Sequence, residues 1–322
     1  MDWTPGGMSS DVEDRRDSSG GGGGGFGFGG GGGGGLGIIG FVVLLVISLL
    51  TGRNFIGSYL SGGGGGGTPQ SQTRVAPVGE SGAGREGTGR EGTGRDEAGR
   101  PVAGREGATP GGDREGQLVS FVLDDVQKTW TGIFAQEGRQ YRHAKLVLYR
   151  DRTYSGCGTA QAATGPFYCP ADEKVYIDLG FWEELRRLGG DTGEFAQAYV
   201  IAHELGHHVQ NLLGTEAKVR RLQQQDPGER NPLSVDLELQ ADCYAGVWAH
   251  STEQRGIVHE NDVEGALKAA AAVGDDHLQR MSGRAVSPES FTHGTSAQRT
   301  SWFTRGMQGG RPGECDTFQG GL

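Results

Sequence analysis

The segment His203-Glu204-Leu-Gly-His207 carries two imidazoles four residues apart, with a carboxylate beside the first. On a helix such a pair sits one turn apart, offset by about 40°, so both rings address one point. Two neutral imidazoles converging on a point suit a zinc ion. Glu204 lies about 100° further round the helix. It flanks that point rather than ligating it, the position of a general base toward an activated water. A zinc peptidase centre needs a third protein ligand and an open fourth position. Downstream, Glu238 and Asp242 stand four residues apart in Glu238-Leu-Gln-Ala-Asp242-Cys and share a helix face. Two carboxylates on a largely apolar helix need partners. Glu238 is the candidate third ligand. Asp242 is the candidate acceptor for the free ring N–H of a ligating histidine.

The elements that must position these groups follow from local chemistry. Asp191 followed by Glu194 reads as a capping box opening the histidine helix, and Gly214 as its end. Asn231-Pro232 reads as cap and first turn of the carboxylate helix. Apolar spacing over Leu118, Phe121, Val122, Val126 and Trp130 predicts an earlier helix. Residues 144–150 and 174–179 read as strands, with turn chemistry at 156–158 and 165–170 between them. Asn261 with Glu264 predicts a helix through Val273. Asp275 and Asp276, at its unfavourable end, call for a partner of their own. His208 points away from the metal and reads as structural. A helix, a few strands, then helices make an α+β domain, mainly helical with a small sheet.

Before that domain the composition changes. The chain has 322 residues and 63 glycines, about 20% against a usual share of about 7%. The excess is concentrated ahead of residue 118, leaving residues 118–322 to build one core. Residues 1–35, polar and then glycine-rich, read as disordered. Residues 36–51 are apolar and uncharged, and segment 36–52 reads as a transmembrane helix. A cleaved signal peptide would begin earlier, after a basic start, and end in a small-residue cleavage site. Residues 53–117, with their repeated Gly-Arg-Glu-Gly-Thr units, read as a flexible linker. As a random coil its last 56 residues would hold their ends ~40 Å apart. Net charge is −10, with no basic block, which argues against a nucleic-acid partner.

The segments His203-Glu-Leu-Gly-His207-His-Val-Gln, Glu238-Leu-Gln-Ala-Asp242-Cys, Gly274-Asp-Asp276 and Phe291-Thr-His293-Gly-Thr-Ser-Ala-Gln-Arg299 resemble the bacterial neutral zinc metallopeptidase family. Asp-Val-Glu-Asp-Arg-Arg at residues 11–16 and the glycine-rich lead into the apolar segment resemble it too. The resemblance covers all of the chain except the repetitive linker. It implies a gluzincin-like, zincin-fold peptidase with glutamate as third ligand. More distant membrane-bound peptidases with a Glu-x-x-x-Asp motif also end on a histidine followed six residues later by an arginine, as His293 and Arg299 do. Gly294 stands where those relatives carry proline. His293 is the candidate donor to the oxyanion of a tetrahedral intermediate. Arg299 is a candidate to orient Glu238 through a bidentate bond.

Four cysteines follow the apolar segment, and none forms a Cys-x-x-Cys pair. An even number suits disulfides in an oxidising compartment. The expected pairs are Cys157 with Cys169 and Cys243 with Cys315. Such bridges would place the domain outside and the first 35 residues inside. Together these observations predict a single-pass, membrane-tethered zinc endopeptidase with an extracytoplasmic domain, acting on peptide or protein substrates. The competing expectation is a catalytically silent zinc-stabilised binding or regulatory module. Intact Glu204 separates the two.

Overall fold

A computed structural model describes residues 1–17, 113–161 and 165–318. Nine elements precede or carry the histidine helix: β1 (Val12–Asp14), α1 (Arg114–Gln136), β2 (Lys145–Tyr149), β3 (Arg152–Ser155), β4 (Gly158–Gln161), β5 (Phe167–Cys169), β6 (Lys174–Asp178), α2 (Phe181–Arg187) and α3 (Glu194–Leu213). Then follow α4 (Thr215–Gln225), α5 (Arg230–Gln254), α6 (Glu260–Ala272), α7 (Asp275–Met281) and α8 (Ser296–Gly309). The mainly helical α+β expectation holds for the described residues.

One sheet has the order β1-β2-β6-β5, with β5 antiparallel at one edge and the other three strands parallel. Period-two alternation divides it into two faces. Leu146, Leu148, Val175 and Ile177 join the main core with Val122, Val126 and Trp130 of α1, Ile201 and Leu205 of α3, and Trp248 of α5. Val147, Tyr149 and Tyr176 face the other way, onto Phe167, Ala160 and the cysteines of the first bridge. That face is closed by the β3–β4 hairpin, which the Cys157–Cys169 disulfide ties to β5. The second bridge, Cys243–Cys315, ties α5 to the C-terminal tail. Both expected pairings are formed.

The helices that carry the site touch through small residues. A Cβ on Gly246 of α5 would meet the Phe303 carbonyl at 2.1 Å. One on Gly306 of α8 would meet the Cys243 carbonyl at 2.0 Å. One on Gly206 of α3 would lie 3.0 Å from the Ala241 carbonyl of α5. Glycine here permits backbone contact that brings α3, α5 and α8 to one place.

Several sequence expectations need correcting. Residues 1–17, read as disordered, are ordered against the domain. β1 pairs with β2 in the register Val12↔Leu146, Glu13↔Val147, Asp14↔Leu148. Asp11 accepts from Lys145 Nζ (2.7 Å) and Gln127 Nε2 (3.0 Å) and contacts His143 Nδ1 (2.9 Å). Lys174 pairs with Glu13, and Arg16 joins Asp14 to Asp113. The segment is poor in apolar surface, but a sheet edge and ready counter-charges supply what its own composition lacks. α1 starts at Arg114, capped by Asp113, so the domain reaches back into the expected linker. Residues 167–169, read as turn, form a strand. Among the described residues no helix is long and apolar enough to cross a membrane, and segment 36–52 and most of the linker lie outside them.

Candidate metal centre

α3 is buried around most of its circumference, between the sheet and other helices, so its polar side chains must find partners inside. Its cap differs from expectation. Gly193 precedes the first turn without a side-chain cap, while Asp191 accepts the Gly193 N–H at 2.6 Å. Glu194 turns instead to Trp3 and Arg114. Gly214 closes the helix in the left-handed conformation, as read. α5 begins at Arg230, so Asn231 is already helical and donates its side-chain amide to the Glu289 carbonyl. α6 is capped by His259 and Asp262 rather than Asn261 and Glu264.

His203, His207 and Glu238 come together, all buried, with one ligand atom from each within 4.8 Å of the others. Nε2 of His203 lies 3.2 Å from Glu238 Oε2, and Nε2 of His207 lies 3.5 Å from Oε1. Bonds of about 2.0–2.1 Å in tetrahedral geometry put neighbouring ligand atoms about 3.3 Å apart. Both rings use Nδ1 elsewhere, so each turns Nε2 to the common point. Donor types, spacing and ring orientation therefore fit zinc.

The orientation of His203 is fixed by a buried carboxylate. Asp242 Oδ1 accepts from His203 Nδ1 (2.9 Å) and from the Tyr199 hydroxyl (2.5 Å). Arg299 completes the cluster with two bonds to Asp242, Nε to Oδ2 at 2.8 Å and Nη2 to Oδ1 at 2.9 Å. The expected bidentate partner of Arg299 was Glu238, but that carboxylate is 3.9 Å away. Asp242 takes the fork because it lies one turn further along α5, facing α8. Burial alone would raise the Asp242 pKa; Arg299 and His203 outweigh it and hold the carboxyl below its usual range. Burial likewise opposes charge on His203, yet Asp242 and Glu238 push its pKa up to about 10. His207 faces fewer carboxylates, and burial lowers it.

Glu204 is buried beside the pair. Desolvation, aided by the charge of Glu238, raises its pKa to about 7, although His203 works against the rise. His293 lies on the loop before α8. Its Nδ1 contacts Asp275 Oδ1 at 3.0 Å, and Asp275 Oδ2 accepts the main-chain N–H of Thr292 (2.7 Å), His293 (2.6 Å) and Gly294 (3.1 Å). Asp275 opens α7 instead of closing α6, a favourable end for a carboxylate, and one group shapes the whole loop. Burial would lower the His293 pKa, but Asp275 raises it. Gly294 has φ 85°. Proline, held near φ −65°, could neither take that conformation nor donate the N–H.

Sequence reasoning missed Tyr199, Asp275, Gln210 and Gln240 as parts of the site. Tyr199 was legible only as an apolar-face residue. Asp275 was conspicuous for lacking a partner, which lies on a loop 18 residues away. His208 is structural, bonded to the Tyr168 hydroxyl and the Arg142 carbonyl.

Because Asp242 and Glu238 favour the protonated form of His203 in the metal-free site, zinc must compete with a proton there. A raised pKa keeps the proton in place below that value, so affinity rises with pH. Zinc titration between pH 6 and 8 should tighten about tenfold per unit, with release of about one proton. Calorimetry in buffers of different ionisation enthalpy checks both; a pH-independent affinity would contradict the assignment.

The comparisons agree with this geometry. A model of the family described as "Putative neutral zinc metallopeptidase" matches residues 88–318. The chain is 44% identical over 319 residues to "Uncharacterized protein YpfJ" of Escherichia coli K12, covering 99% of each. It is 44% identical over 189 residues to "Uncharacterized protein Rv2575" of Mycobacterium tuberculosis H37Rv, covering 55% of this chain and 63% of that one. No solved structure matches. With a matching family model over most of the chain and a relative aligned nearly end to end, the chain belongs to this zinc metallopeptidase family.

Proposed function

We propose that this chain is a zinc endopeptidase acting on peptide or protein substrates, attached to a membrane, with its domain in an oxidising compartment. The convergence of His203, His207 and Glu238 beside the buried carboxylate of Glu204 carries this reading. When bound, zinc supplies a Lewis acid that polarises a carbonyl and makes a water more acidic. Glu204 takes a proton from the attacking water on a carboxylate oxygen and passes it to the leaving amine nitrogen. Burial raises its pKa in the metal-free site, the direction that lets it hold the proton between the two halves of that transfer. His293, its Nδ1 engaged by Asp275, offers the other ring nitrogen to the developing oxyanion. Asp242, Tyr199 and Arg299 hold His203 in the tautomer that presents Nε2. Two disulfides support the oxidising compartment. The apolar segment 36–52 supports membrane attachment. A silent zinc module would have no use for a desolvated carboxylate next to the ligands, which favours the enzyme.

Glu204→Gln preserves size and removes the base. It should keep zinc at one ion per chain and lose cleavage of a peptide library by about 10²–10⁴-fold. Full activity in the purified variant would overturn the mechanism.

A further inference from the structure

The second histidine ligand is held by amides rather than by a carboxylate, and those amides lead away from the site. His207 Nδ1 meets Gln210 Oε1 at 2.8 Å. Gln210 Nε2 donates to the Leu237 carbonyl (2.7 Å) and to Gln240 Oε1 (3.1 Å) on α5. Gln240 Nε2 donates to the Cys315 carbonyl at 3.0 Å. Cys315 is bridged to Cys243, three residues beyond Gln240. His207, Gln210, Gln240, Cys243 and Cys315 are all buried, and Leu237 is half-buried. The two carbonyls only accept, so they fix both amides: nitrogen toward Leu237 and Cys315, oxygen toward His207 and Gln210. His207 Nδ1 must then donate, leaving the Nε2 lone pair for the metal. Thr317 Oγ1, on the Asp236 carbonyl at 2.7 Å, ties the same tail to α5.

From this chain of bonds we infer that Gln210 and Gln240 are positioning residues for His207, and that the Cys243–Cys315 bridge sets zinc affinity through them. The bridge pins the tail, the tail carbonyl pins Gln240, and Gln240 with Leu237 pins Gln210. Reduction would free the tail, let the Gln240 amide turn, and loosen the ring that ligates zinc. The inference rests on the metal site proposed above.

The test measures zinc affinity by chelator competition on the full chain, oxidised and reduced, alongside the visible absorption of the cobalt-loaded forms. Methionine matches glutamine in length, so Gln210→Met and Gln240→Met remove the amides with little change of volume. Gln210→Met should weaken zinc about 10–100-fold and shift the cobalt band. Gln240→Met should weaken it less, and the double variant should fall short of the product of the two. Reduction should weaken zinc in the wild type and have little effect in Gln240→Met. Circular dichroism of the metal-free forms separates a loosened site from an unfolded one; if a methionine variant unfolds, the reduced and oxidised wild type still give the comparison. Equal affinity in every form, or an equal loss on reduction in both backgrounds, would sink the relay. A chain that binds no zinc in any form would sink the metal site itself.

A separate observation bears on the membrane. β1, before the apolar segment 36–52, and β2, after it, are neighbours in one sheet. Asp11, Glu13 and Arg16 bind Lys145, Lys174 and Asp113 across the same gap in sequence. One passage through a bilayer between residues 17 and 113 would put adjacent strands on opposite sides. The geometry points to residues 1–17 and the domain sharing one side of the membrane. The single-pass arrangement expected from the sequence would instead part residues 1–17 from the domain. Met8 and Tyr154 are exposed, and all four natural cysteines are bridged. Met8→Cys and Tyr154→Cys, each in the full chain, should therefore show the same labelling by a membrane-impermeant maleimide in intact cells or spheroplasts. Labelling of one site with protection of the other until permeabilisation would overturn the shared side.

Discussion

The site depends on a carboxylate that has no water to turn to. Asp242 is fully buried in the middle of α5, and so is the arginine that neutralises it. Neither charge could be left there alone, since removing one member of a buried pair typically costs about 3–5 kcal/mol. The pair therefore fixes the approach of α8 to α5, which glycines at 246 and 306 make close enough. Two more donors, Tyr199 and His203, complete the carboxylate's bonds and bring α3 to the same point. One charge thus gathers three helices, and the imidazole it orients faces Glu238 one turn earlier on α5.

The two metal-facing histidines are held by different chemistry, and the difference has consequences. His203 gives its Nδ1 proton to a charged acceptor, which raises its basicity and makes it the place where a proton and a metal compete. His207 gives its proton to a neutral amide, and burial keeps the ring uncharged. Beside them Glu204 is desolvated, and burial with the charge of Glu238 outweighs His203 and Arg299, which leaves its pKa near neutrality in the metal-free site. The site separates a strongly ionised carboxylate that organises from a weakly ionised one available for proton transfer.

What was legible in the sequence was what rests on short-range periodicity. His203, Glu204 and His207 share a helix, as do Glu238 and Asp242, so spacing alone brings each set to one face. The cysteine pairing followed from number and position. Contacts between distant segments were not legible. Arg299 chose Asp242 over Glu238 because of how α8 crosses α5. Asp275 found His293 because its helix begins where another was expected to end. The ordered N-terminus was hidden for a related reason: its charges have partners more than 90 residues away, and no local count of apolar surface could anticipate them.

The account stands or falls on the charge of Asp242. Asp242→Asn keeps the shape, leaves Arg299 buried without a counter-ion and gives His203 a weaker acceptor. Denaturant unfolding of the metal-free protein and zinc affinity, measured on the same samples, address this directly. The prediction is a loss of about 3–5 kcal/mol in stability together with zinc affinity weakened about 10–100-fold. Wild-type stability and wild-type zinc affinity in Asp242→Asn would contradict it.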